Sequence, residues 1–156
     1  METRPQKPIV VPAGEGTRLS VLGEIITCKV TSGETYGAYA VVEAVTPPQG
    51  GPPLHIHHHE DEMFYILEGE CEVQCGDQTF KATKGSLATL PRKIPHGFRN
   101  VGTTPSKILV TITPGGFERF FEEVSRLPTD RPPDTEKIMA IAQKYNLELL
   151  PPSQES

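Results

Sequence analysis

Proline and glycine divide this chain into short segments, and this division constrains the fold more than any other feature. The 156 residues include 16 prolines and 14 glycines, which stand between short runs of β-branched and aromatic residues. Neither residue is favourable inside a helix or a central strand, so long uninterrupted elements are excluded. The pattern is typical of an all-β domain with tight turns, in which about nine or ten short strands form a sandwich or barrel.

The predicted strands are bounded by turn residues and by one longer break. They are Pro8 to Val11, Leu19 to Val30, Tyr36 to Val45, Glu62 to Leu67, Cys71 to Cys75, Gln78 to Ala82, Ser86 to Leu90, His96 to Val101 and Lys107 to Thr113. The break runs from Pro47 to Pro53, where six of seven residues are proline or glycine. It leads directly into a segment rich in histidine.

The period of the apolar residues changes after Pro114. Apolar side chains then recur every three or four residues, at Phe117, Phe120, Phe121, Val124 and Leu127. This spacing predicts an amphipathic helix that Pro128 ends. A second helix is predicted from Asp134 or Thr135 to Tyr145, with Asn146 at its C-terminal end. We therefore expect a helical appendage at about residues 116–146.

Charge and hydropathy exclude two classes of partner. The formal net charge is −5, and the 15 lysines and arginines are scattered, so a phosphate-binding surface has no support and nucleic acid is not expected as a partner. The apolar runs are only a few residues long, far below the ~20 residues of a membrane helix. A membrane is therefore not expected as a partner either.

The start of the chain and its cysteines indicate a reducing compartment. Residues 1–5, Met-Glu-Thr-Arg-Pro, lack the apolar run of a signal peptide. Three cysteines, Cys28, Cys71 and Cys75, are an odd number, and we expect them to be free thiols. The expected location is cytoplasmic.

Four of the five histidines fall within five residues of one another. On a strand, His55, His57 and His59 would share one face, while Ile56 and His58 would share the other. Imidazoles two residues apart can reach one ion, and further ligands would come from other strands, with Glu62 and His96 as candidates. Three imidazoles and a carboxylate leave a divalent ion with a net charge near +1, which favours anionic or polarisable ligands at an open position.

The spacing of these residues resembles the first sequence motif of the cupin family. That motif is a glycine, His-x-His, three or four residues, a glutamate, six residues and a glycine. Here His55 and His57 are followed by four residues, Glu62, six residues and Gly69. The second cupin motif is matched by Gly85, Pro91, His96 and Asn100. The resemblance covers residues 33–113.

Resemblance to cupins implies a double-stranded β-helix, the jelly-roll barrel, formed by about residues 33–113 within a single domain that spans residues 1–156. It implies a metal in the barrel mouth, held by His55, His57, Glu62 and His96. Strand alternation then places Phe64 and Ile66 on the inner face with Glu62, and Phe98 on the inner face with His96. The helix that carries Phe117, Phe120 and Phe121 either covers one opening of the barrel or packs on its sheet.

Two departures from the cupin pattern are visible. Lys93 replaces a glycine of the second motif, so the backbone of that loop is expected to differ because a residue free to adopt positive φ is lacking. Gly50 lies one residue too close to His55, whereas Gly51 has the correct spacing to His57. A second ligand set, His57, His59, Glu62 and His96, therefore stays open, as does a polar edge that binds no metal.

Residues near the motifs have simpler expected roles. Glu60 and Asp61 are predicted to form a polar turn, and His58 is predicted to be exposed. His58 and His59 are predicted to support the site or line the pocket rather than to bind metal. Asn100 is predicted to bond backbone groups near the site.

The run from Pro52 to Gly69 is similar to small single-domain cupins related to quercetin dioxygenases. This resemblance implies a metal-dependent dioxygenase that acts on a small phenolic or enolic substrate. Glu62 would bind the metal and, when released, accept the proton of a substrate hydroxyl. Iron, manganese, nickel and copper all suit the ligands, whereas zinc suits them less well because four ligands would close a tetrahedral site.

Two other functions remain open on the same residues. A metal-dependent isomerase or lyase would use the ion only as a Lewis acid, and a non-catalytic cupin would bind a small ligand without turnover. The open N-terminal strands also need a partner at their edges, which predicts a homodimer.

Overall fold

The computed structural model describes residues 7–151, which form two antiparallel β-sheets and two short helices. The strands are β1 (Thr17–Val21), β2 (Glu24–Val30), β3 (Ala40–Thr46), β4 (His55–His57), β5 (Asp61–Glu68), β6 (Glu70–Cys75), β7 (Gln78–Thr83), β8 (Leu87–Leu90), β9 (His96–Asn100), β10 (Ser106–Thr113) and β11 (Leu147–Leu149), and the helices are α1 (Glu118–Ser125) and α2 (Thr135–Lys144). One sheet has the order β1-β2-β3-β10-β5-β8, and the other has the order β11-β4-β9-β6-β7. The predicted all-β fold with short C-terminal helices is confirmed.

Side chains from both sheets form one hydrophobic core. Burial alternates along β3 and β10, as expected for strands with one face toward a core. Ile26, Phe64 and Ile108 enter the core from the first sheet, and Val73 and Phe98 enter it from the second. The inner faces of the two sheets therefore enclose the space in which the site lies.

The first three strands predicted near the N-terminus differ from the structure. Residues 8–11 form no strand. The run predicted from Leu19 to Val30 is a hairpin, because Leu22 and Gly23 both adopt positive φ, at 50° and 86°. The third strand begins at Ala40 instead of Tyr36, because Tyr36 and Gly37 also adopt positive φ in the preceding turns. A two-residue turn with both φ positive reverses the chain tightly between antiparallel strands.

Both predicted helices form, each slightly shorter than expected. The carboxylate of Glu118, the first residue of α1, accepts hydrogen bonds from the backbone N–H groups of Ser32 and Gly116, at 2.6 and 2.7 Å. These bonds tie α1 to the turn that precedes β3. Asp134 caps α2 by accepting a bond from Lys137 N, and Asn146 follows the helix with a φ of 57°. Asn146 therefore takes the left-handed position common after a helix end.

The strand β11 was not predicted, and it completes the ligand-bearing edge. Leu147 pairs with His57, and Leu149 pairs with His55. A three-residue strand with one exposed position carries too little alternation to be recognised in a sequence. β11 protects the free edge of β4, which carries two of the candidate metal ligands.

The structure also bears on the predictions made for the cysteines, for a membrane and for a homodimer. Cys28, Cys71 and Cys75 are free, as predicted. Within residues 7–151, neither helix has the length and hydropathy needed to span a membrane. β1 lies at an edge of its sheet, and the homodimer stays a prediction that size-exclusion chromatography would test.

Candidate metal centre

The four candidate ligands come from three strands. His55 and His57 lie on the buried face of β4, and the partly buried Ile56 lies between them on the other face. His96 begins β9 and pairs directly opposite His55. Glu62 reaches the same point from β5 in the other sheet. The group thus joins the two sheets.

The structure brings these four side chains together and leaves His59 outside. One ligand atom from each of His55, His57, Glu62 and His96 lies within 4.8 Å of the others, and all four residues are buried. Glu62 Oε2 lies 2.7 Å from His96 Nε2 and 3.4 Å from His57 Nε2. His59 is exposed, so the geometry favours the ligand set that contains His55.

The donor set fits a divalent transition metal. Such an ion binds nitrogen and oxygen at about 2.0–2.2 Å, so its ligand atoms would span at most about 4.4 Å, a few tenths of an ångström less than the 4.8 Å within which these atoms lie. His55 Nδ1 lies 2.7 Å from the carbonyl oxygen of Pro53, which leaves its Nε2 unprotonated and available. His57 Nδ1 lies 3.5 Å from Glu60 Oε2 while its Nε2 faces Glu62. An acceptor behind the imidazole is the usual support of a metal-binding histidine, and His55 and His57 have one, whereas His96 Nδ1 has no partner within residues 7–151.

Charges inside the group are strongly coupled. Burial and the neighbouring rings of His96 and His57 lower the pKa of His55 to about 4, so His55 is neutral near pH 7. Burial disfavours a charged His57, but the Glu62 and Glu60 carboxylates outweigh it and raise the pKa of His57 to about 9. Burial also disfavours an ionised Glu62, but His57 and His96 hold the pKa of Glu62 far below its usual range. The carboxylate is therefore ionised and ready to bind a cation.

Glu60 lies behind the candidate ligand His57, and the role predicted for it is wrong. We predicted a polar turn at Glu60 and Asp61, but Glu60 is only 5% exposed and faces His57. Asp61 does lie at the surface, where its carboxylate accepts bonds from Arg92. His58 is exposed as predicted, and its imidazole pairs with the carboxylate of Glu148.

An apolar cavity of about 260 Å³ opens beside the ligand group. Five phenylalanines contribute to its wall, two from the sheets and three from the start of the helical segment: Phe64, Phe98, Phe117, Phe120 and Phe121. The ring of Phe117 packs edge-on against His57, with centroids 4.4 Å apart. Phe64 and Phe98 face inward as predicted, and Ile66 is buried in the core. The helix phenylalanines thus line the cavity instead of packing only on a sheet.

The loop before β9 keeps a positive φ at Lys93, contrary to the prediction that the loss of glycine would change its backbone. We expected the lost glycine to change the backbone, but Lys93 itself adopts a φ of 68°. Its N–H donates a 2.8 Å hydrogen bond to the carbonyl oxygen of His57. The loop therefore keeps a left-handed residue, at an energetic cost.

Asn100 and Gly51 secure the strand that carries His96. The Asn100 amide donates to the carbonyl oxygens of Thr46 and Thr104, and its oxygen accepts from Gly102 N, which confirms its predicted role. Gly51 has a φ of 141°, and a Cβ there would overlap the carbonyl oxygen of Phe98. The proline- and glycine-rich segment thus packs directly on β9.

Comparison with known proteins identifies a family model. Residues 42–112 match the model described as "Cupin domain". An uncharacterized protein of Methanocaldococcus jannaschii is 36% identical over 70 residues, which are 45% of this chain and 56% of that protein. Quercetin 2,3-dioxygenase of Bacillus subtilis is 25% identical over 93 residues, which are 59% of this chain and 27% of that enzyme. The chain thus spans about half the length of the first of these relatives and about a quarter of the length of the second.

Solved structures show the same fold at low sequence identity. The structure of KdgF from Halomonas sp. aligns with a TM-score of 0.63 and 15% identity, over 70% of this chain and 97% of that chain. At this identity the likeness describes the fold alone. It supports the double-stranded β-helix expected from the motifs.

Proposed function

Since this chain belongs to the cupin superfamily, we propose that it is a metal-dependent dioxygenase acting on a small phenolic or enolic substrate. The observation that carries the proposal is the opening of a buried group of three histidines and one glutamate into a cavity walled by phenylalanines. The similarity to quercetin 2,3-dioxygenase of Bacillus subtilis supports the reaction class.

His55, His57, Glu62 and His96 would hold the ion. When bound, a divalent iron, manganese, nickel or copper ion would supply a Lewis-acidic, redox-active centre for the reaction of substrate with dioxygen. Pro53 and Glu60 orient the imidazoles of His55 and His57 from behind. These contacts keep the Nε2 atoms directed at one point.

Glu62 is the proposed proton acceptor for a substrate hydroxyl. Its carboxylate is ionised, which is the state that a base requires. His57 and His96 hold this carboxylate at 3.4 and 2.7 Å, so it accepts a proton only when those contacts lengthen. The chain thus couples proton transfer to a movement of the Glu62 side chain.

The cavity wall determines which substrates fit. Aromatic side chains offer flat apolar surfaces and almost no hydrogen-bonding groups, so a planar aromatic or enolic ring is favoured over a sugar. Phe117, Phe120 and Phe121 line the cavity on the α1 side, and Phe117 packs against the ring of the buried ligand His57. Exclusion of water strengthens every electrostatic interaction in the site.

Elemental analysis of purified protein tests the metal site first. We expect one divalent ion per chain in wild type and in His58→Ala, whose imidazole is exposed and outside the group. We expect loss of that ion in His96→Ala. Equal metal content in the three proteins, or none after incubation with each candidate ion, would contradict the ligand assignment.

Oxygen consumption tests the reaction. Metal-loaded wild type is incubated with phenols, flavonols and β-diketones under air and under strict anaerobiosis, beside His96→Ala. Uptake of dioxygen that requires substrate and His96 is the expected result. Turnover that continues without dioxygen would replace the proposal with an isomerase or lyase, and binding without turnover would leave a small-ligand-binding cupin.

A further inference from the structure

Glu24 is a carboxylate on the apolar inner face of the N-terminal hairpin. It begins β2 and is two residues before Ile26 and four before Cys28, which are both buried. Since every second residue of a strand points to the same face, the side chain of Glu24 points to the same face as theirs. It lines the cavity together with His55, His57 and Glu62. Glu24 lies outside the segment that matches the family model, residues 42–112.

The polar atoms around Glu24 are not satisfied within residues 7–151. Glu24 Oε1 is buried and has no hydrogen-bond partner in this part of the chain. The strand register, which pairs Ile25 with Val45, places Glu24 opposite Thr46, whose buried Oγ1 also has no partner there. A buried polar atom without a partner lowers the stability of the protein, and a bound molecule that offers a polar atom would remove this cost.

The protonation state of Glu24 follows from this environment. Burial raises the pKa of Glu24 to about 7, and the neighbouring Thr46 hydroxyl offsets part of this rise. Among residues 7–151, the other titratable groups that line the cavity are three metal-site residues, His55, His57 and Glu62. The remaining wall from β3, β10, α1 and α2 is apolar: Val42, Ala44, Val110, Phe120, Phe121 and Ile138.

We propose that Glu24 is a ligand-binding residue whose carboxyl group hydrogen-bonds a carbonyl oxygen of the substrate. The metal-site residues would face one oxygen of the substrate, and Glu24 would face another. The substrate class is thereby narrowed to small aromatic or enolic compounds that carry a second, carbonyl oxygen. This inference rests on the proposed function for the choice of cavity and is independent of the reaction that follows.

Titration with chromone tests the inference without any turnover. Chromone is a small aromatic ketone that accepts hydrogen bonds and has no titrating group near neutral pH. Binding is measured at about pH 6 and pH 8.5 to wild type, Glu24→Gln and Glu43→Gln. Glu43 is a matched control because it lies on the neighbouring strand β3, is not among the cavity-lining residues and pairs with Lys107.

We expect wild type and Glu43→Gln to bind chromone about tenfold more weakly at the higher pH, because an ionised Glu24 no longer donates a hydrogen bond. Glu24→Gln retains an N–H donor and should bind equally at both pH values. No binding at the lower pH, equal wild-type affinity at both, or the same pH dependence in Glu24→Gln would overturn the inference. Absence of oxygen consumption would instead contradict only the proposed function, since chromone binding does not require it.

Discussion

The backbone N–H of Lys93 donates a 2.8 Å hydrogen bond to the carbonyl oxygen of His57, and Lys93 adopts a φ of 68° to do so. This contact holds the loop before β9 against the strand that carries two candidate ligands. The left-handed conformation costs a residue with a Cβ roughly 1 kcal/mol, and glycine avoids that cost.

Lys93→Gly should therefore stabilise the protein by about 0.5–1 kcal/mol. Urea unfolding of the variant beside wild type measures this difference. Lys93→Ala removes the charge and keeps the Cβ, so it should show no such gain. A Lys93→Gly variant that is less stable than wild type would mean that the lysine side chain contributes more than its backbone costs.

Gly51→Ala should be strongly destabilising, by about 3 kcal/mol or more. The new Cβ would meet the carbonyl oxygen of Phe98, which is fixed backbone, and the φ of 141° is unfavourable for any residue with a side chain. Gly33→Ala is the control, because Gly33 has only Thr31 Oγ1 near its Cβ position, at 3.9 Å. Equal unfolding midpoints for the two variants would contradict the packing described for this segment.

Much of the fold could be predicted from local patterns. The strands from β5 to β10 were located within one or two residues, because their ends coincide with glycine, proline or charged turns. Two of the errors fell where a residue other than glycine adopts positive φ. Leu22 and Tyr36 resemble strand residues in the sequence, yet each forms part of a turn. Only the pairing of the flanking strands determines those conformations.

The candidate metal ligands could be predicted because they occur at a recognisable spacing in the sequence. Two histidines two residues apart share one face of a strand, and motif spacing indicated Glu62 and His96. Glu60 and Glu24 were missed because their roles depend on contacts between distant elements. A carboxylate in phase with Ile26 and Cys28 on an apolar face was the available signal for Glu24.

Glu60→Gln should weaken metal binding by about 10- to 100-fold, the usual effect of removing a carboxylate behind a ligating histidine. Glu60 Oε2 lies 3.5 Å from His57 Nδ1, and within residues 7–151 neither of these two buried atoms has a hydrogen-bond partner, so each is the nearest charged or polar group available to the other. Competition with a chelator, read by elemental analysis, measures the affinity. Asp61→Asn is the control, since Asp61 bonds Arg92 at the surface and should leave metal affinity unchanged. Equal losses in both variants would indicate a general effect of charge.

Glu24 should make the stability of the ligand-free protein depend on pH. Its pKa is 4.5 in an unperturbed chain and about 7 in the folded protein, so the folded state holds the proton more firmly. The resulting stabilisation is fully present below about pH 4.5 and is lost as the pH rises through 7, with an upper limit of about 3 kcal/mol that partial exposure reduces. Urea unfolding of wild type and Glu24→Gln between pH 5 and 8 measures it as a difference, which cancels the contributions of other groups. We expect wild type to lose stability relative to the variant across this range, and a constant difference would show that Glu24 titrates as it does in the unfolded chain.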